Sequence, residues 1–146
     1  MIDARDSALL KDVLRRESRS FLQYVTDSFP WTTSNENDAL GKLQKLIEEE
    51  REATAGLGRF LYRQRQTLPY LGAYPSYFTT LNYVALDYLL PKLAEEEREE
   101  IAGLERDLNE LIDPEARAEI DKLLSIKRRH VQTMETLAAH ATTPSG

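Results

Sequence analysis

Ionisable side chains interrupt the apolar faces of the predicted helices, each near the middle of its helix. A charge in a buried row costs several kcal/mol unless it is paired or binds a metal. Four such interruptions at one level favour a single shared site inside a helical bundle, either a carboxylate-rich metal site or a buried ionic network. The residues concerned are Glu17, Glu49, Glu50, Glu52, Glu97, Lys127 and His130.

Four helices, identified from apolar residues at three-and-four spacing, position these side chains. The predicted ranges are 6–28, 38–66, 76–112 and 114–140. Pro91 falls inside the third range, so this helix either kinks there or begins a second segment at that residue. No segment of the sequence shows the pattern of a β-strand. We therefore expect an all-α, antiparallel four-helix bundle that forms a single domain over residues 1–140, followed by a disordered tail at 141–146.

The charged residues lie at matching heights along the predicted helices. Glu17 and Glu49 each stand about 16 residues, or about 24 Å, from the turn that joins the first two helices. Glu97 lies about 16 residues before the turn that joins the last two. Lys127 and His130 lie about 14 and about 17 residues after that turn. If the two hairpins dock at equal height, these five groups meet.

The connection between the second and third helices, residues 67–75, decides how the hairpins are arranged. Its roughly nine residues reach about 30 Å when they are extended at about 3.3 Å each. That reach is marginal for a long crossover along the bundle, and it also allows a simple up-down-up-down bundle. The sequence leaves both topologies open.

The composition excludes several classes of function. The chain of 146 residues has no cysteine, so disulfides, zinc–thiolate sites and iron–sulfur sites are excluded. Its net charge of −6, from 25 acidic and 19 basic residues, argues against nucleic-acid binding. No secretory signal is visible, and the longest apolar stretch, Tyr83 to Leu90, is too short to span a bilayer. We therefore expect a cytoplasmic protein without a nucleic-acid or membrane partner.

Three segments resemble the helices of ferritin-like proteins of the bacterioferritin and rubrerythrin type. LLKDVLRRESRSFLQY is similar to their first helix, where Glu17 matches the first glutamate ligand. IEEEREATAGLGRFLYRQRQTLP is similar to the second, where Glu49 matches the bridging glutamate and Glu52 replaces the histidine common three residues later. LSIKRRHVQTMETL is similar to the fourth, where His130 matches the histidine and Lys127 replaces the second bridging glutamate.

The resemblance implies a degenerate di-metal site of iron or manganese. The chain would then be a metal-binding oxidoreductase or an iron-handling, oxidative-stress protein with an atypical core site, in which the metal activates oxygen or peroxide. Lys127 cannot bridge two metals while it is charged, because an ammonium has no lone pair. The implied metal ligands are Glu17, Glu49, Glu52, Glu97, near the expected glutamate of the third helix, and His130.

A metal-free bundle is the alternative. In it the Lys127 ammonium replaces one metal charge and forms a core ionic network with Glu17, Glu49 and Glu97, which holds the helices in register. Such a protein would act by oligomerisation, as a homodimer, or by binding a protein partner. A third hypothesis is an ordinary coiled-coil-like interaction domain whose resemblance is accidental. No serine or cysteine nucleophile motif adds a catalytic residue, and whether the chain is an enzyme stays open.

Overall fold

The computed structural model describes residues 1–28, 32, 36–81 and 84–142. These residues form a bundle of packed helices and no β-strand, so the predicted all-α bundle is confirmed. The first two helices together make one arm, and each of the other three α-helices makes another. The elements are α1 (Ala4–Ser18), α2 (Phe21–Ser28), α3 (Asn37–Arg63), a 3₁₀ helix (Ser76–Leu81), α4 (Leu86–Glu110) and α5 (Pro114–Thr142).

The first predicted helix is two helices, with a break at Arg19 and Ser20. The backbone of Arg19 leaves the helical region, with φ −116° and ψ 29°. The Ser20 hydroxyl then accepts a hydrogen bond from the backbone N–H of Gln23 at 3.3 Å, which caps the start of α2. Ser20 and Gln23 stand at the spacing of a capping box, a sequence signal that the apolar periodicity of the arm conceals.

The third predicted helix begins ten residues too early, because α4 starts at Leu86 and not near Ser76. In the 3₁₀ helix the hydroxyl of Thr79 donates to the carbonyl of Ser76 at 2.8 Å, a local bond that competes with α-helical pairing. Pro91 lies inside the continuous α4, so it does not begin a second segment, and the kink at this residue stays a prediction. At the other end of the chain α5 extends to Thr142, and residues 143–146 of the predicted tail lie outside the described residues.

Contacts along neighbouring helices run in opposite sequence directions. Between α4 and α5, Arg98 pairs with Glu135 and Arg128 pairs with Glu105. The same order holds between the first arm and α3, where the N–H of Ile2 lies 3.0 Å from a side-chain oxygen of Gln64, and the Gln23 amide lies 3.0 Å from the Ile47 carbonyl. The central residues of the arms therefore lie at a common level along the bundle.

The connection from α3 to α4 travels along the bundle. It starts beside the chain terminus, where Gln64 accepts a hydrogen bond from Ile2. The carbonyl of Gly72 then accepts a hydrogen bond from Arg19 at 2.7 Å, at the break between α1 and α2. The ring of Phe78 packs against the ring of Phe21 on α2, with 5.0 Å between the two centroids. The connection is thus a long crossover, one of the two topologies that the sequence leaves open.

The apolar core is divided into two clusters. One cluster joins α2, the first half of α3, the first half of α4 and the last part of α5, and includes Phe21, Leu43, Leu90 and Met134. The other joins α1, the second half of α3, the second half of α4 and the first half of α5, and includes Leu10, Leu61, Leu104 and Ile120. On every arm the charged residues lie in sequence between the members of these two clusters.

Candidate functional site

A buried lysine stands among four carboxylates where the apolar clusters meet. The side chain of Lys127 is 1% exposed. Its Nζ lies 2.7 Å from Oε2 of Glu17 on α1 and 2.8 Å from Oε1 of Glu50 on α3. It also lies 2.8 Å from Oε1 of Glu97 and 2.8 Å from Oε2 of Glu100, both on α4. An ammonium has three protons for these four partners. Because the partners lie on α1, α3 and α4, one side chain of α5 connects all the other arms of the bundle.

His130, one turn after Lys127, extends the network. Its Nδ1 lies 2.7 Å from Oε2 of Glu50, and its Nε2 lies 2.8 Å from Oε2 of Glu49. Glu49 in turn accepts a hydrogen bond from Arg129 at 3.0 Å. Because an ionised carboxylate only accepts hydrogen bonds, the imidazole makes both bonds at once when both of its nitrogens carry a proton.

Burial and charge divide the carboxyl groups into ionised and protonated members. Burial opposes the ionisation of Glu50, but the Lys127 charge and the His130 hydrogen bond outweigh it and lower the pKa of Glu50 to about 2. Burial raises the pKa of Glu97 to about 10 against the attraction of Lys127, and the charges of Glu50 and Glu100 add to the rise. At neutral pH Glu50 is therefore a carboxylate and Glu97 a carboxylic acid.

Glu100 and Lys127 complete the electrostatic picture. Burial raises the pKa of Glu100 to about 7 despite the nearby ammonium, so this carboxyl is close to half-protonated at neutral pH. Its side chain is 19% exposed, which gives its proton a path to solvent. Burial disfavours the charged form of Lys127, but the surrounding carboxylates outweigh it and hold the pKa of Lys127 well above its usual value.

The structure brings together most of the predicted site residues. Glu17 and Glu97 contact Lys127 directly. Glu49, predicted as a partner of Lys127, contacts His130 instead, and its neighbour Glu50 takes the place beside the ammonium. Successive side chains of an α-helix point about 100° apart, so Glu49 and Glu50 face different directions. The buried position on α3 is that of Glu50.

Glu52, a predicted metal ligand, lies outside the cluster. Its side chain is 70% exposed and pairs with Arg59 at 2.8 Å. It lies two positions after Glu50, a spacing that puts the two side chains on different faces of α3. Glu100, by contrast, belongs to the cluster although it was not among the predicted residues. It follows Glu97 by three residues on the same helix face, and this spacing is the signal for it.

A surface cavity of about 370 Å³ reaches the cluster near the break between α1 and α2. Its lining includes Glu17 and Glu100 together with Arg16, Arg19 and Arg106. The buried carboxylates therefore face a solvent-accessible opening on the α4 side.

Iron or manganese does not fit this site while Lys127 is present. Glu17, Glu50 and Glu100 each offer an oxygen, and these oxygens lie within 4.8 Å of one another, as a single cation requires. The Lys127 ammonium lies 2.7 to 2.8 Å from all three carboxylates. It thus stands where that cation would stand, repels it and offers it no lone pair. The described residues suit a tethered ammonium better than a metal ion.

Comparisons with known proteins identify no relative. No protein-family model, curated protein or solved structure matches the chain. The four-arm helical bundle is compatible with a ferritin-like fold. None of the described helices is long and apolar enough to cross a membrane.

Proposed function

We propose that this chain is a ferritin-like bundle in which the Lys127 ammonium replaces the metal, and that it acts by binding another protein chain and not by metal chemistry. The observation that carries the proposal is the position of Nζ, within 2.8 Å of oxygens from Glu17, Glu50, Glu97 and Glu100. In this protein the ionic core holds the arms at one level, and its surface does the binding.

The charge state of the network supports a structural role. Removing one partner of a buried ion pair costs about 3–5 kcal/mol, since an uncompensated charge is left behind. Lys127 has carboxyl partners on three different helices, so a slip of any one helix would separate it from a partner. The network therefore penalises alternative packings of the two apolar clusters, which by themselves tolerate sliding.

Exposed apolar side chains support a binding role. Tyr62 is 76% exposed, Leu68 50% and Tyr70 90%, and they follow one another from the end of α3 into the crossover. Clustered exposure of large apolar residues marks sites of protein association. The partner is either a second copy of the chain or a different protein.

A metal-dependent oxidoreductase is the second candidate function, favoured by the spacing of the carboxylates of Glu17, Glu50 and Glu100. Iron or manganese would be held by these oxygens only after Lys127 had left its position. Iron and manganese in such a site serve oxygen or peroxide chemistry, and no described residue is assigned a step in it.

Metal analysis separates the two candidates. Purified protein is incubated aerobically with Fe²⁺ or Mn²⁺, desalted, and its metal content is measured by mass spectrometry. We expect less than about a tenth of an equivalent, since the ammonium already occupies the position between the carboxylates and repels a second cation. The exposed-site variant Glu52→Gln is the control for adventitious binding by surface glutamates. One equivalent that survives desalting and is absent from the Glu50→Gln variant would replace our proposal with the metal-dependent one.

A further inference from the structure

An apolar groove lies between α1, α3 and the start of the crossover, and we call it the α1–α3 groove. Its lining includes Leu14, Gly58, Tyr62, Leu68 and Leu71. Gly58 leaves room in the lining, because a Cβ atom built on it would meet only the methyl groups of Leu14, at 3.9 Å. The groove is thus a concave apolar surface beside exposed aromatic and aliphatic side chains.

The charged side chains that line or adjoin the groove include arginines, although the chain as a whole carries a net charge of −6. No aspartate or glutamate lines it, whereas Arg59 does. Arg63 lies one turn after Arg59 on α3, with its guanidinium 6.0 Å from the centroid of the Phe60 ring, and Arg65 follows just after the helix end. Neither makes an ion pair with a carboxylate in the part of the chain that the structure describes. Arg59 pairs only with the exposed Glu52, an interaction worth little in water.

We propose that the α1–α3 groove binds an acidic amphipathic helix of a partner protein, an inference that rests on the proposed function and names its partner. The apolar face of such a helix would cover Leu14, Leu68 and the space above Gly58. Its flanking carboxylates would meet Arg59, Arg63 and Arg65. This is the helix-in-groove mode of recognition, in which apolar anchors give affinity and the charged rim gives specificity.

A second copy of the chain matches the groove poorly. A symmetric dimer formed through this face would bring Arg63 and Arg65 of one copy towards the same arginines of the other, which costs free energy. None of the described helices offers a spare apolar face to insert, since their stripes, with residues such as Leu57 and Leu104, are buried in the bundle. An acidic helix from another protein meets neither obstacle.

A lipid surface matches the groove poorly as well. Membrane-surface binding uses a protruding apolar face that enters the bilayer, whereas these residues line a concavity with Gly58 in it. The net charge of −6 also opposes the approach to anionic lipids, which would have to attract the few arginines of the rim.

A display selection tests the proposal with a defined probe. The library consists of helical peptides with leucine at i, i+3, i+4 and i+7 and with flanking positions randomised among Glu, Lys, Gln and Ser. We expect enrichment of peptides with glutamate at the flanks, and micromolar binding of a synthetic representative. Gly58→Leu fills the groove and should weaken that binding at least about tenfold. Gly41→Leu, on the same helix with nothing within 4 Å, is the matched control and should bind like the wild type.

Charge reversal tests the rim. The double variant Arg63→Glu with Arg65→Glu should weaken binding of the acidic peptide about tenfold and favour its lysine-flanked counterpart. Circular dichroism checks that each variant is folded. Enrichment of lysine-flanked peptides, no enrichment, or equal binding by the Gly58→Leu and Gly41→Leu variants would overturn the proposal. So would sedimentation of the protein with phosphatidylserine vesicles, or a dimer that the Gly58→Leu change abolishes.

The metal measurement keeps the two proposals distinct. If the protein binds no metal and the groove binds no acidic peptide, the proposed ionic core stands and the acidic-helix proposal fails. If the protein holds one equivalent of iron or manganese tightly, the proposed function is wrong, whatever the groove binds.

Discussion

The Nζ of Lys127 lies 2.8 Å from Oε1 of Glu97, yet the pKa of Glu97 is raised to about 10. Attraction to an ammonium lowers the pKa of a carboxyl group, so burial and the two neighbouring carboxylates must outweigh it. One buried ammonium cannot neutralise four buried carboxylates, and protons neutralise part of the rest. The site thus combines ionised and protonated glutamates around a single cation.

Exchange of each glutamate for glutamine distinguishes these two kinds of carboxyl group. Glu97→Gln replaces a protonated acid by a neutral isostere and should cost less than about 1 kcal/mol at pH 7. Glu50→Gln removes a carboxylate that faces both Lys127 and His130, and should cost about 3 kcal/mol or more. Urea unfolding at pH 7 measures both. A larger loss for Glu97→Gln than for Glu50→Gln would show that the protons are assigned to the wrong groups.

The pH dependence of stability follows from the same pKa shifts. Glu97 and Glu100 bind protons more tightly in the folded chain, so their stabilisation is complete below the ordinary pKa of 4.5. It is lost as the pH rises through about 7 for Glu100 and about 10 for Glu97. Glu50 has the opposite sign, because its stabilisation is present above 4.5 and is lost as the pH falls towards about 2.

We therefore expect maximal stability in mildly acidic solution and a decline from there to pH 9. Urea midpoints measured across this range test it. In the double variant Glu97→Gln with Glu100→Gln, the decline between pH 5 and pH 9 should largely disappear, since both groups that release protons are gone. A wild-type protein whose stability rises steadily from pH 5 to pH 9 would contradict the assignment.

Much of the site follows from the sequence, because helical periodicity and equal distances from the turns set the heights of Glu17, Glu97 and Lys127. Distances from the turns do not tell which direction a side chain takes around the helix axis. Glu50 lies on the apolar stripe of α3 and Glu49 lies at its edge, about 100° away. Their distances from the turn do not tell them apart, and the packing of α3 shows that Glu50 faces Lys127.

The rest of the fold depends on interactions that the apolar periodicity does not report. Ser20 breaks the first arm through a local hydrogen bond, with no proline or glycine to mark the place. The path of the crossover is set by contacts far apart in the chain, such as that of Gly72 with Arg19. Sequence periodicity predicts which faces are buried, and it does not report such long-range partners.

Removal of the Lys127 charge tests whether the carboxylates form a latent cation site. Lys127→Glu should destabilise the metal-free protein by more than about 3 kcal/mol, because it adds a buried carboxyl and removes the ammonium that the surrounding carboxyl groups face. If the cage keeps its shape, Mn²⁺ at about one hundred times its dissociation constant should restore about 2.7 kcal/mol. Thermal unfolding with and without Mn²⁺ measures the effect. An equal shift in wild-type protein would mean that the cation binds elsewhere, and no shift in the variant would mean that the cage is lost.

Asp6 fixes the start of α1 to the turn between α4 and α5. It is buried, and its Oδ2 accepts a hydrogen bond from the backbone N–H of Asp113 at 2.8 Å and a longer one from Ile112 at 3.3 Å. Asp6→Ala should cost about 2–3 kcal/mol, because these buried N–H groups lose their acceptor. Asp3→Ala, which removes only the N-cap of α1, is the comparison and should cost about 1 kcal/mol. Equal losses in urea unfolding would mean that Asp6 acts merely as a helix-terminal charge.

Arg65 stands in a backbone conformation that favours glycine, with φ +58°. The N–H of Arg65 donates to the Tyr62 carbonyl at 2.9 Å, and the N–H of Gln66 donates to the Leu61 carbonyl at 3.0 Å. This is the Schellman ending of a helix, in which glycine usually occupies the left-handed position. Arg65→Gly should therefore stabilise the protein by about 1 kcal/mol.

The same change should weaken binding in the α1–α3 groove, since it removes one of the arginines that would meet an acidic helix. Arg65→Asn is the intermediate case, because asparagine tolerates the left-handed region but carries no charge. Both variants should therefore gain stability in urea unfolding and lose affinity for the glutamate-flanked peptide, with the loss fading at high salt. If Arg65→Gly gains stability and keeps full affinity at low salt, Arg65 has no part in binding, and the strained arginine needs another explanation.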